Sequence, residues 1–249
     1  MNYKKILQWN TESNDTIVCI HGYADNAQMF KPLKSIFPDK RIISVNLPMN
    51  HSKNRIYDVC ELSDYVRETL NKVHIKSYSL IGFSLGGLIS TDLASKDRRV
   101  KKLMLLNSFP FLIMNARLVR NLLHKTTSPL KTKLPLYFYS RVYTNKTIKK
   151  LLTGVDLPDQ KRAYMKDRYY SVFGTLLNCL SYSGLYEYHR LRIPKKIVLF
   201  EDDRTLPYKR FSRRANRHNL AVTTIKSGGH NKAGDYWKEV HPTLESFFK

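Results

Sequence analysis

The sequence predicts an α/β protein: a mostly parallel central sheet, helices on both of its faces, and one inserted helical region. Three observations carry this. Short β-branched or leucine-rich runs, apolar throughout rather than alternating, recur with helical patterns between them, as strands buried on both faces do. The alternation stops at 109–192, where no clear buried strand occurs, and then resumes. The length of 249 residues suits one domain of this kind with an insertion. The expected division is a core of 1–108 and 193–249, with a mostly helical, basic cap at 109–192.

The elements follow in order. Thr16-Ile17-Val18-Cys19-Ile20 is a central strand ending at His21-Gly22-Tyr23. A glycine directly after a strand end permits close backbone approach, so this loop can present the Tyr23 N–H to a reacting oxygen. His21, at the strand end, reads as a brace for that loop, although a histidine here also resembles a base. Met29-Phe30-x-x-Leu33 is a short helical pattern closed near Pro38. Residues 41–47 form the next strand and 48–52 a loop. A helix is expected over 56–73, with Val59, Leu62, Val66 and Leu70 on its apolar face and Asp58, Glu61, Asp64 and Glu68 in water. A strand at 78–82, a helix at 84–96 and a strand at 100–107 complete the first part. The insertion holds a segment at 116–123, a polar stretch at 125–133, a Tyr/Phe-rich patch at 136–139 and a helix after Pro158. A strand at 196–200 leads into Glu201-Asp202-Asp203. A short helix at 208–218 follows, then a last strand at 220–225, Gly228-Gly229-His230 and a final helix near 236–248.

Gly82-Phe83-Ser84-Leu85-Gly86 fits G-x-S-x-G, a strand-to-helix bend that exposes a serine. Ser84 is expected at positive φ, with Gly82 and Gly86 clearing space around it. The Leu85 N–H, at the helix start, faces developing negative charge, and Tyr23 supplies a second donor. Ser84, Asp203 and His230 all fall at strand ends, which share one crevice in such a sheet. Attack on a carbonyl needs a hydroxyl activated by imidazole, and the imidazole needs an acid on its far nitrogen. Asp202, one residue earlier, and Asp235, after the histidine, are the alternative acids. His189, His218 and His241 read as surface or packing residues. No His/Asp/Cys cluster has metal-ligand spacing, and no phosphate-binding glycine motif follows the first strand. Neither a metal nor a cofactor is expected.

On these residues the chain resembles the α/β-hydrolase superfamily over essentially its whole length. The order Ser84, Asp203, His230 is that family's order. His21-Gly22 resembles its oxyanion-loop pair, and Ser227-Gly228-Gly229-His230 its loop carrying the base. Asn46-Leu47-Pro48-Met49-Asn50-His51-Ser52 resembles its D-x-P-G-x-G-x-S loop, with Asn46, Met49 and His51 in place of the aspartate and two glycines. The resemblance implies a serine hydrolase: Ser84 as nucleophile, His230 as base, Asp203 as acid, the Tyr23 and Leu85 amides as oxyanion donors. It implies an acyl-enzyme mechanism on a carboxylic ester or thioester, with 109–192 as the variable cap.

The formal charge is +23. Residues 1–100 carry 14 Lys+Arg against 10 Asp+Glu, while residues 101–249 carry 29 against 10. Residues 117–170 alone hold 13 against three. Such a field suits an acidic partner, and equally a basic surface kept for solubility. Within the resembled superfamily, pimeloyl-carrier methyl ester esterases accept an acyl group from an acidic carrier protein at a basic cap. That reading stands beside a small-molecule acyl ester or thioester, and beside a non-enzymatic binding protein on a hydrolase scaffold. A nucleic-acid partner is not expected, since no recognised module or Gly-rich basic tail occurs. The three cysteines form no C-x-x-C pair, no apolar run follows Lys4 and Lys5, and the longest apolar stretch is broken by Asn107, Ser108 and Pro110. The expectation is a cytoplasmic protein without signal peptide or transmembrane segment.

Overall fold

A computed structural model of the protein describes residues 4–111, 133, 136–138, 140–141, 144–145, 159–230 and 236–249. Seven strands form one sheet: β1 (Ile6–Trp9), β2 (Thr16–Ile20), β3 (Arg41–Val45), β4 (Tyr78–Phe83), β5 (Val100–Leu106), β6 (Lys195–Phe200) and β7 (Val222–Ile225). Their order is β1-β3-β2-β4-β5-β6-β7. Every neighbouring pair is parallel except β1 and β3. The mostly parallel sheet is as expected; β1 is an addition to it. Its four residues are all half-buried, so this edge strand has neither the unbroken apolar run of a central strand nor a length that would reveal it.

Alternate residues of the central strands feed two cores. Val18, Ile20, Leu80, Leu103, Leu105, Ile197 and Leu199 pack with α2 (Val59–Asn71), α3 (Leu85–Lys96) and, further along, α7 (Tyr208–Arg217). Ile17, Cys19, Ile81, Met104, Val198 and Phe200 face the other way, onto α1 (Leu33–Ile36) and α8 (Tyr236–Phe248). Period-two alternation of wholly apolar residues is what burial on both faces requires. Helix α2 starts later than the expected residue 56. Asp58 is its N-cap, accepting from Glu61 N at 2.8 Å, while the Glu61 carboxylate accepts from Asp58 N at 2.9 Å. These two residues close the first turn reciprocally instead of merely facing water.

Between β5 and β6 lies the inserted helical region, with α4 (Asp159–Asp167), α5 (Tyr169–Cys179) and α6 (Leu185–Arg190). The expected segment at 116–123 lies outside the described residues, as does the stretch at 125–133 apart from Lys133. A bridge between Phe111 and Ser183 ties the two ends of the insertion. Leu136, Met165, Val172 and Phe173 form a third small core with Ala24 of the loop after β2. Polar contacts fasten the same helices to the loop after β3. The Tyr164 hydroxyl donates to Asn50 O at 2.9 Å, the Tyr57 amide to Thr175 Oγ1 at 3.1 Å, and Lys53 pairs with Asp167 at 2.8 Å. At Gly174 a Cβ would lie 2.5 Å from the Ile56 side chain, which would have to shift to make room, so the glycine lets α5 pack closely on this loop. Among the described residues, no helix is long and apolar enough to cross a membrane.

Candidate active site

The site is assembled by register. Ile20 pairs with Gly82, Phe83 with Leu106, Leu106 with Val198 and Phe200 with Ile225. The carboxyl ends of β2, β4, β5, β6 and β7 therefore lie along one edge, and the loops that leave them meet.

Ser84 follows β4 and caps α3 with φ 52° and ψ −120°. This is a left-handed backbone that a residue with a Cβ adopts only when its surroundings impose it. The surroundings are on view: Ser84 N donates to Leu106 O at 2.9 Å, and its carbonyl accepts from Ser108 Oγ at 2.6 Å and Gly87 N at 2.9 Å. A Cβ on Gly86 would run into the carbonyls of Ile20 and His21, which is why α3 can start so close to β2. A Cβ on Gly22 would lie 3.0 Å from that of Ser84, so the loop after β2 passes directly beside the serine.

That loop is braced from behind. Buried His21 accepts the Leu47 N–H on Nε2 at 3.1 Å, so the proton sits on Nδ1 and is donated to Gly22 O at 2.8 Å. Asn46 accepts from Ala27 N and donates to Lys4 O, both at 2.8 Å. An aspartate at this position would accept the first bond but could not donate the second, so the departure at Asn46 has a local use. His51, in the same stretch, is pushed down to about 4 by burial, then by Arg168 and His21. Tyr23 packs edge-on against Phe173 of α5, with ring centroids 5.9 Å apart. Tyr23 and Leu85 thus lie on the two segments flanking Ser84, one in the loop after β2 and one opening α3.

The loops after β6 and β7 bring the remaining groups. Asp203 is buried, and His230 Nδ1 lies 2.7 Å from its Oδ2. His230 Nε2 lies 3.0 Å from Ser84 Oγ. With the carboxylate ionised, the proton belongs on Nδ1, leaving Nε2 to accept from the serine hydroxyl. The Thr205 and Leu206 amides donate to Asp203 Oδ1 at 2.8 and 2.9 Å. Asp202 faces elsewhere: its Oδ1 accepts from Gly229 N at 2.7 Å, holding the loop that carries His230. Asp235 lies outside the described residues. His218 packs against the Phe111 ring, and His241 lies beside Glu245. Among the described residues, no three His, Cys, Asp or Glu side chains come together to hold a metal ion.

Two residues that the motifs did not single out enter the network. Asn107 Nδ2 donates to Asp203 Oδ2 at 2.7 Å, and the Tyr236 hydroxyl donates to Asn107 Oδ1 at 2.8 Å. In the sequence, Asn107 falls at the end of the expected strand 100–107 and Tyr236 at the start of the expected final helix, with no motif around either.

A serine on a strained elbow, meeting an imidazole and a buried carboxylate above a parallel sheet, is the arrangement of the α/β hydrolases. The chain belongs to the alpha/beta hydrolase family, whose model matches residues 17–241. Over 110 residues it is 31% identical to the uncharacterized hydrolase YugF of Bacillus subtilis, covering 42% of this chain and 40% of that protein. Over 233 residues it is 24% identical to a 2-succinyl-6-hydroxy-2,4-cyclohexadiene-1-carboxylate synthase of Photorhabdus laumondii, covering 86% and 78%. The matches span only 34–40% of the length of the first curated relatives. The fold is also similar to that of an esterase from Exiguobacterium antarcticum, with a TM-score of 0.69 and 17% identity over 98% of this chain and 94% of that one.

Proposed function

We propose that the protein is a serine hydrolase that cleaves a carboxylic ester or thioester through an acyl-enzyme. The observation that carries this is the unbroken line Ser84 Oγ, His230, Asp203, with separations of 3.0 and 2.7 Å. Ser84 attacks the carbonyl carbon and His230 Nε2 takes its proton, while Asp203 holds the imidazole and the charge it gains. The Tyr23 and Leu85 amides receive the oxyanion. His230 returns the proton to the leaving group, and water releases the acyl group by the same steps. The test is a fluorophosphonate probe together with p-nitrophenyl esters of graded length. Wild type should be labelled and active, and Ser84→Ala neither. Equal labelling of the two proteins would remove Ser84 from the mechanism.

A second, finer reading has the acyl group arrive on an acidic carrier protein. It is supported by α7, where Lys209, Arg210, Arg213, Arg214 and Arg217 occupy half of ten residues and no acid intervenes. Arg214 is held below its ordinary range, first by burial and then by Arg210 and Arg217. The chain has 26 lysines and 17 arginines, yet this helix has one lysine and four arginines. Guanidinium forks favour carboxylates held in place over bulk solvation. The helix begins two residues after Leu206, whose amide holds Asp203, so α7 directly follows the loop that carries the acid. The identity with the synthase is too low to carry that protein's activity across.

A further inference from the structure

Asn107 follows β5, between the strands that end in Ser84 and in the Asp203 loop. It is fully buried, at φ 44°. Among the described residues, its amide makes three hydrogen bonds. Nδ2 donates to Asp203 Oδ2 at 2.7 Å and to Gly229 O at 3.0 Å, while Oδ1 accepts from the Tyr236 hydroxyl at 2.8 Å. Two acceptors on one side and a donor on the other leave the amide a single orientation. The Asp203 oxygen it touches is the one facing His230 Nδ1, and Gly229 is the residue before His230. One side chain therefore holds both the oxygen that orients the imidazole and the peptide that carries it. Tyr236 is itself fixed, stacked on Phe200 at 4.9 Å and edge-on to Phe83 at 5.9 Å, and Phe83 lies 5.1 Å from the His230 ring. Burial, then Asp203, pushes its phenol well up, so the hydroxyl stays a donor.

We propose that Asn107 is a positioning residue that sets the Asp203–His230 geometry, with Tyr236 as the latch on its amide. The proposal rests on the hydrolase reading above. It gives the end of β5 a part in the reaction without contact to substrate.

The test compares wild type, Tyr236→Phe, Asn107→Ala and Asn107→Asp by ester hydrolysis, fluorophosphonate labelling rate, thermal melting and the proton NMR signal of His230 Nδ1–H. Tyr236→Phe keeps the ring packing and should lower kcat about 3- to 10-fold with KM nearly unchanged. Asn107→Ala should cost about 10- to 100-fold, since a buried carboxylate and carbonyl lose their donor. Asn107→Asp turns an oxygen toward Asp203 Oδ2 and Gly229 O. Among the described residues, the titratable groups in this network are Asp203 and Tyr236 on the Asn107 amide, His230 on Asp203, and Asp202 on the Gly229 amide. Its deficit relative to wild type should be largest near neutral pH and shrink toward pH 5, as the introduced carboxyl regains a proton to donate. The Nδ1–H signal should move in all three variants. Wild-type rates and an unmoved signal in folded Tyr236→Phe and Asn107→Asp would overturn the proposal, as would a pH-independent deficit that merely follows lost stability. If Asn107→Ala or Asn107→Asp fails to fold, Tyr236→Phe decides by the same criteria. If wild type is not labelled at Ser84, the hydrolase reading fails separately, and the NMR signal still reports whether Asn107 sets the His230 geometry.

Discussion

Asp202 and Asp203 are neighbours with different duties, because successive residues of a loop point opposite ways. Asp203 meets the imidazole, and Asp202 meets the Gly229 amide. Asp203→Asn should lower kcat by roughly 10²- to 10⁴-fold, since an amide cannot hold the imidazole in the same tautomer. Asp202→Asn keeps an oxygen for Gly229 N and should cost less than about 10-fold by the same comparison. Steady-state kinetics on one ester ranks them, and the reverse order would move the acid by one residue. Ser84 and His230 were legible at this scale because their glycine neighbours are unusual: Gly82 and Gly86 around the serine, Gly228 and Gly229 before the histidine. Asn107 was not. An asparagine closing a strand is a common turn signal, and its use emerges only where three loops converge.

At the scale of elements, the ends carry as much information as the middles. Helix α3 stops at Asp97, whose carboxylate receives the Arg99 guanidinium at 2.7 Å and the Tyr78 hydroxyl at 3.0 Å. Burial alone would raise this carboxyl; the hydrogen bonds from Arg99 and Tyr78 outweigh it and hold it below 3.8. A depressed folded-state value means the unfolded chain binds the proton more readily. The resulting stability is present above the ordinary carboxylate range and is lost as pH falls from that range through the lowered folded-state value. Melting temperatures followed downward from pH 5 should therefore drop more steeply in wild type than in Asp97→Asn; parallel curves would mean the bonds are not worth their burial. Strands were easier to read than helix starts. A strand buried on both faces is apolar at every position, whereas the shift of α2 to Val59 depends on one reciprocal pair, Asp58 and Glu61. Edge strand β1, half-buried along its length, offers no comparable pattern.

For the whole molecule, the excess of cations should be felt at a distance. Exposed charges attract over about 8 Å at physiological salt and about 30 Å at 0.01 M. If an acidic carrier docks at α7, kcat/KM for a carrier-bound acyl group should fall steeply as salt rises. The same acyl group on a small neutral alcohol should respond little. Arg210→Glu, Arg213→Glu and Arg217→Glu together should reduce only the first, through association rather than chemistry. Flat salt profiles for both substrates would leave α7 a solvated face and the protein a hydrolase of small esters. The inserted region was the least legible part of the chain, because its packing against Tyr23, Asn50 and Tyr57 is contributed by scattered aromatic and polar side chains with no strand or helix period.

The Asn46 amide joins Lys4 O to Ala27 N, and so ties the backbone just before β1 to the loop beside the candidate site. The edge strand is sewn to the same loop that presents Tyr23. A tag, a proteolytic nick or a binding protein that peels residues 4–9 from the sheet would slacken that loop from outside, with every reacting group still in place. Deleting residues 1–5 should accordingly depress turnover more than it depresses the melting temperature, and Asn46→Asp, which cannot donate to Lys4 O, should reproduce part of that loss in the uncut protein. A deletion that leaves turnover intact would mean the loop keeps its shape without the bond to Lys4 O.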